Sequence, residues 1–243
     1  MLQDTMICFY KDLKFYFASK MIYLLLAVYM LMITAFTCFG ANFYMVYEVS
    51  MQSFFLYQPV VMALVIPGLT MRSFADESRN RTLEIILSQP INRCSIVLGK
   101  FFAVWLVCTI MLLSSMSVWL ILGLILPLDN WWIVCNYLLA FISTGALCAA
   151  ALWGASFSYN YAVAFILSIS ICSLLLNFNF GWIAESVSSS SLMGIRIARS
   201  FSFLKQYTEA ISGQLRLSVI LYFISIIIGF ISLTFINTEY KRR

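Results

Sequence analysis

Histidine is absent from this chain of 243 residues. That single absence removes histidine proton relays, His-ligated haem or zinc sites and the His-dependent intramembrane proteases. Charge is scarce as well: Asp, Glu, Lys and Arg together make up 10% of the residues, against about 25% in soluble domains. The seven cysteines, Cys8, Cys38, Cys94, Cys108, Cys135, Cys148 and Cys172, are scattered singly with no C-x-x-C pair. They read as small apolar residues, not as a disulfide frame or a metal site. No G-x-x-x-x-G-K-[ST] phosphate loop occurs, so ATP hydrolysis through such a loop would have to come from another chain.

What is there is apolar. With 63% hydrophobic residues and a mean hydropathy of +0.94, the chain reads as an integral membrane protein. Uncharged runs extend over residues 21–47, 49–71, 101–128, 130–184 and 217–238, and each is long enough for a bilayer that takes about 20 residues per helix. The run 130–184 must hold two spans, because the polar stretch SFSYN (Ser156 to Asn160) interrupts it. Six spans result, at about 21–41, 53–72, 97–126, 131–155, 160–182 and 215–237. The runs are continuously apolar and do not alternate, so α-helices and not barrel strands satisfy their backbones in lipid. The expected fold class is an all-α polytopic membrane protein with one transmembrane domain over residues 1–243. The first run exceeds a signal-peptide core and follows a mixed segment, so it is expected to be a retained span.

Basic residues set the orientation. Lys11, Lys14 and Lys20 precede the first span, Arg72, Arg79, Arg81, Arg93 and Lys100 follow the second, and Lys241, Arg242 and Arg243 end the chain. The alternate side holds only Arg196, Arg199, Lys205 and Arg216. The positive-inside rule then places both termini and the 73–96 loop in the cytoplasm. Glu48, Asp129, Trp131 and Trp132 fall at the opposite interface.

Three segments are not spans. Residues 4–20 place Met6, Phe9, Leu13 and Phe17 at helical spacing, with Asp4, Lys11, Asp12 and Lys14 largely elsewhere on the wheel. This predicts an interfacial helix over residues 1–20, the plainer alternative being a basic flank that orients the first span. In the 73–96 loop, Arg79 to Pro90 reads as a short amphipathic helix. Leu83, Ile86 and Leu87 form its apolar face, Thr82 is the candidate N-cap, Glu84 sits in the first turn, and Pro90 ends it by restricting Gln89. Asp76, Glu77 and Glu84 nearly balance Arg79, Arg81 and Arg93. A loop that only orients spans needs no acids, so docking of a soluble partner and a solvated loop both stay open. The third segment, residues 183–214, mixes Leu192, Ile195, Phe201 and Leu204 with Arg196, Arg199 and Lys205. It is too polar to span and is expected as outer interfacial or re-entrant helices.

The stretch from Arg72 to Ala103, RSFADESRNRTLEIILSQPINRCSIVLGKFFA, resembles the membrane subunit of type-2 ABC exporters. That family shows an acidic-basic cluster, then Gly-Thr-Leu-Glu, an apolar helix, Pro, Arg and Gly-Lys. Thr82, Leu83, Glu84, Pro90, Arg93, Gly99 and Lys100 match, while Arg81 stands where Gly is usual. A second match is FSFLKQYTEAISG, Phe201 to Gly213, ahead of the last span and a basic tail. The likeness covers nearly the whole chain and is nearest to the six-span permeases that include nitrous-oxide-reductase maturation and gliding-motility exporters. It implies a permease that does no chemistry itself, in the cytoplasmic (inner) membrane of a bacterium. The amphipathic loop would be a coupling helix in a cleft of an ATP-binding subunit, and the N-terminal helix would brace the same subunit. Asp76, Glu77, Arg79, Arg81, Thr82, Glu84, Gln89, Pro90 and Arg93 would be the docking residues. The resemblance implies two copies of the ATP-binding subunit and a second permease, identical or not, with surrounding lipid and no nucleic acid. This chain itself would bind no cofactor, ATP and Mg lying on the partner.

Polar side chains in spans are costly in lipid and mark pathways. Asn42, Gln58, Asn177 and Asn179 are the pathway candidates, with Ser114, Ser115 and Ser117 beside them; interhelical hydrogen bonding is the plainer reading of each. None is ionisable, which suits a hydrophobic or lipid-like cargo better than a metal ion. Pro59 and Pro67 either kink the second span or mark its ends. The competing readings are a channel or secondary transporter, for which neither a charged midplane residue nor internal repetition is visible, and a scaffold that moves nothing.

Overall fold

The computed structural model describes residues 2–40, 52–79, 93–123, 130–177, 202–211 and 216–240. In chain order the helices are α1 (Leu2–Ala18), α2 (Lys20–Gly40), α3 (Gln52–Arg79), α4 (Arg93–Ser114), α5 (Met116–Gly123), α6 (Asn130–Ala155), α7 (Tyr161–Asn177), α8 (Phe203–Ile211) and α9 (Leu217–Tyr240). The described residues contain no strand, as continuous apolar runs in lipid require. Five helical stretches among them are long and apolar enough to cross a membrane: Lys20–Thr37, Gln52–Asp76, Cys94–Leu120, Asn130–Ala155 and Leu217–Glu239. α7, the fifth of the six expected spans, is 17 residues long where it is described; residues 178–182 of its expected range lie outside the described residues.

The bundle is built around α6. Its stretch Ala146 to Ala151 is wholly buried, at most 1% exposed, because small side chains let neighbouring helices approach closely where lipid offers no hydrophobic drive. At Gly154 the α7 backbone comes so near that an added Cβ would lie 2.7 Å from the Cα of Ser168. The Ser168 hydroxyl donates to the Ala151 carbonyl at 2.8 Å across the same contact. α3 is as deeply placed as α6, each 72% buried over its apolar window, whereas α2 and α9 are only 22% and 17% buried. These two therefore form the outward-facing rim.

Three boundaries differ from the sequence reading. α3 passes through both prolines and continues to Arg79, past the expected end at 72. At about 1.5 Å per residue its 28 residues reach about 42 Å, well beyond a hydrocarbon core of about 30 Å. The extra turns hold because Phe74 and Ala75 are buried and Arg72 pairs with Asp76 one turn on. α4 likewise begins at Arg93, so residues 73–79 and 93–96 of the expected loop are helical. Within the expected span 97–126, which the structure shows as one apolar stretch over Cys94–Leu120, the helix has a one-residue turn at Ser115. There the hydroxyls of Ser114, Ser115 and Ser117 donate to the carbonyls of Met111, Leu112 and Ser114 at 2.6, 2.6 and 2.9 Å. Such bonds compete with the helix ladder, and here the Ser115 N–H is shared between the Met111 and Leu112 carbonyls at 3.3 and 3.1 Å.

α1 and α2 are separated by Ser19, whose hydroxyl accepts from the Met21 N–H at 3.3 Å as a cap for α2. α1 folds back onto α4. Gly99 permits this, since a Cβ there would lie 2.7 Å from the Cβ of Cys8 and 3.2 Å from the carbonyl oxygen of Thr5. α8 packs at the far end of the bundle through buried Phe203, Tyr207 and Ile211, where the Trp132 indole donates to the Ile211 carbonyl at 3.0 Å. An amphipathic helix thus does lie within the expected outer segment, with Lys205 and Glu209 on its polar face.

Candidate functional site

The end of the bundle that carries α1, the last turns of α3 and the first of α4 also gathers its buried charge. Lys100 is 3% exposed, and its ammonium meets three partners from two other helices. It donates to the Ser73 carbonyl at 2.6 Å, lies 3.6 Å from Asp12 Oδ2, and sits 5.1 Å above the centre of the Phe74 ring. A buried cation is tolerated only when paired and hydrogen-bonded, and these contacts supply both conditions. Asp12 is in turn 3.5 Å from Lys11 Nζ.

One turn away, Arg72 organises a second group. Its Nε lies 3.3 Å from Asp76 Oδ2, its guanidinium is 5.6 Å from the centre of the Phe15 ring, and it donates to the Ser19 hydroxyl. The Tyr161 hydroxyl, at the start of α7, donates to the other Asp76 oxygen. Tyr16 of α1 donates to the Leu69 carbonyl at 3.4 Å. On the other side of α7, Asn237 near the end of α9 donates to the Ser156 hydroxyl at 2.7 Å.

Together these contacts tie α1, α3, α4 and α7 into one block. From that block the chain leaves at Arg79 and returns at Arg93. The bond from Lys100 to Ser73 links α4 to α3 near the roots of the loop, and Asp12 adds α1 to the same contact.

Of the sequence-predicted docking residues, Asp76 is drawn into this network, while Glu77, Arg79 and Arg93 belong to the helical turns on either side of the loop. Arg81, Thr82, Glu84, Gln89 and Pro90 lie outside the described residues, as do Asn42 and Asn179. Gln58 is 1% exposed inside the bundle, its Oε1 accepting from the Tyr29 hydroxyl at 3.0 Å. Asn177 ends α7 and donates back to the Ser173 carbonyl at 2.9 Å.

The sequence reading missed Asp12 and Lys100 as a pair. Met6 and Phe17, expected on the apolar face of an interfacial helix, point away from the bundle at 65% and 39% exposure, while Cys8, Asp12 and Tyr16 face it. Lys100 is the physical reason: a buried ammonium on α4 draws the carboxylate inward. Its signal in the sequence was a lone cation opening an otherwise uncharged run.

Apolar helices around a small-residue core, with paired charge collected where a polar loop leaves the bundle, are the architecture of a polytopic membrane protein. The chain matches the family model described as ABC-2 family transporter protein over residues 6–242, and it belongs to that family. It is accordingly a multi-pass permease subunit of an ABC transporter, a system that works with an ATP-binding partner. A search of curated proteins finds no match.

Proposed function

We propose that this chain is the permease of an ATP-driven exporter in a bacterial inner membrane, with both termini in the cytoplasm, moving a hydrophobic or lipid-like cargo. The 73–96 loop docks in a separate ATP-binding subunit, two copies of which serve two permease subunits. The observation that carries this reading is the Lys100 tie to Ser73 and Asp12, because it makes the roots of the loop and α1 a single lever at the end where docking occurs. The absence of ionisable pathway candidates in the spans supports an apolar cargo over a small ion.

The test is to purify the tagged chain from its native membranes, identify what accompanies it, and compare ATPase activity with an Arg81→Glu, Glu84→Arg variant. Co-purification of an ATP-binding subunit that the variant loses supports docking through the loop. A chain that brings no ATPase, and a variant without effect, would return the channel or scaffold readings.

A further inference from the structure

The flank of the bundle where α4 and α5 face α6 is cut by a groove of about 340 Å³. On α6 its lining residues are Val134, Tyr137, Leu138 and Phe141, the i, i+3, i+4 and i+7 positions of one helix edge. The facing wall runs in the same way from Thr109 to Trp119. The groove therefore follows the helix axes. At about 1.5 Å per residue it is about 10 Å long on α6 and about 15 Å on the facing wall. Leu112 and Tyr137, 3% and 8% exposed, form the floor, and the rim residues Leu113, Val134 and Leu138 are 52%, 43% and 56% exposed. Both walls belong to stretches long and apolar enough to cross a membrane, so the rim opens onto lipid hydrocarbon and not onto water.

Size and chemistry select the occupant. A volume of 340 Å³ spread over about 12 Å gives a mean cross-section of about 28 Å², a slot about 6 Å across. A helix with its side chains is about 10–12 Å across and does not enter. The lining carries no charge, and Thr109 donates its hydroxyl to the Trp105 carbonyl of its own helix at 2.8 Å. Trp119 and Tyr137 alone are left to offer a polar atom, too few to hold a file of water that needs two to four partners per molecule. At the Phe141 end the slot is closed by the stack of Trp105 on Phe141, ring centres 4.5 Å apart. The other end lies toward the start of α6, where the Trp131 indole is 77% exposed, as interfacial aromatics are.

We propose that this groove holds one acyl chain of a bilayer phospholipid as a resident lipid, its methyl end toward Phe141 and its glycerol end toward Trp131. The chain meets a floor and two walls in place of the single surface that a chain on a smooth helix meets, and so gains dispersion contacts along its length. The site rests on the membrane-spanning class of the protein and not on what the transporter carries.

The test uses the full chain, with whatever subunits co-purify, in nanodiscs of phosphatidylethanolamine and phosphatidylglycerol. A fraction of the phosphatidylethanolamine carries a diazirine near the end of one acyl chain, and photolabelled peptides are mapped by mass spectrometry. The segments Leu112 to Met116 and Tyr137 to Phe141 are expected to be labelled at least about three-fold more than those around Phe102, Leu221 and Ile228. Those three are 45%, 57% and 63% exposed in apolar helices but do not line this groove. Leu113→Trp combined with Leu138→Trp, which fills the slot from its exposed rim, should bring the groove down to the level of the other segments. Equal or weaker labelling of the groove in the unaltered protein would overturn the site, since ordinary surface lipid or a covering protein would then suffice. Enhanced labelling that survives in a folded double variant would overturn it too, because the chain would lie elsewhere.

Discussion

The ammonium of Lys100 reaches the carbonyl oxygen of Ser73 at 2.6 Å, joining two helices at points 27 residues apart in the chain. The loop between them is thereby held at a narrow neck, and the neck is bolted to α1 through Asp12.

Removing the bolt should be costly. Lys100→Met leaves Asp12 without its deepest partner and is expected to destabilise the chain by about 3 kcal/mol, the lower end for breaking a buried pair, since the Asp12 side chain keeps 13% exposure. Lys100→Met combined with Asp12→Leu should recover part of that loss. Thermal unfolding of the two single variants and the double variant in one detergent measures the coupling; strictly additive losses would mean the ion pair contributes nothing.

Gly99 and Gly229 form a matched pair for testing the seat of α1. A methyl at 99 meets Cys8 at 2.7 Å, whereas one at 229 meets nothing within 4 Å. Gly99→Ala should loosen α1 and speed tryptic cleavage after Lys11 and Lys14 several-fold, while Gly229→Ala leaves it unchanged. The readout is the rate of release of the N-terminal fragment in membranes.

Tyr161→Phe removes one donor from Asp76 but leaves its ion pair with Arg72. A loss of about 1–2 kcal/mol is expected, as for a hydrogen bond to a charged acceptor. Arg72→Ala should cost more, because Phe15, Ser19 and Asp76 all lose a partner. The order of the two midpoints in a thermal melt decides it.

The proposed sidedness, argued from the distribution of basic residues, can be read with a membrane-impermeant maleimide. On a background lacking the native thiols, Lys14→Cys should label only in inside-out vesicles. Trp131→Cys, at a residue 77% exposed at the other end of the bundle, should label only in intact cells from which the outer barrier has been removed. Labelling of both from one side would refute the orientation.

The spans were legible because twenty-residue apolar runs need only hydropathy to be seen. Helix ends were harder to place. α3 reads as ending at the first cation, Arg72, yet Asp76 one turn later neutralises that cation and the helix goes on to Arg79. The Ser114, Ser115 and Ser117 group was visible as polar residues in a span, but its bonds to its own helix depend on rotamers that composition does not encode. The Asp12 to Lys100 pair was the least legible feature. It joins residues far apart in sequence, and it seats a second face of α1, with Cys8 and Tyr16, that apolar periodicity alone does not mark. Of the candidate docking residues, Asp76 is fixed from two helices by its neighbours Arg72 and Tyr161.

The central position of α6 also orders biosynthesis. During synthesis α3 and α4 emerge before it, and the surfaces they bury against α6 have no protein to meet until that helix has been made. The first four helices can already pack on one another, α1 on α4 and α2 on α3, so a nascent chain that ends before residue 130 would be a partial bundle whose α6-facing surfaces lie open to lipid.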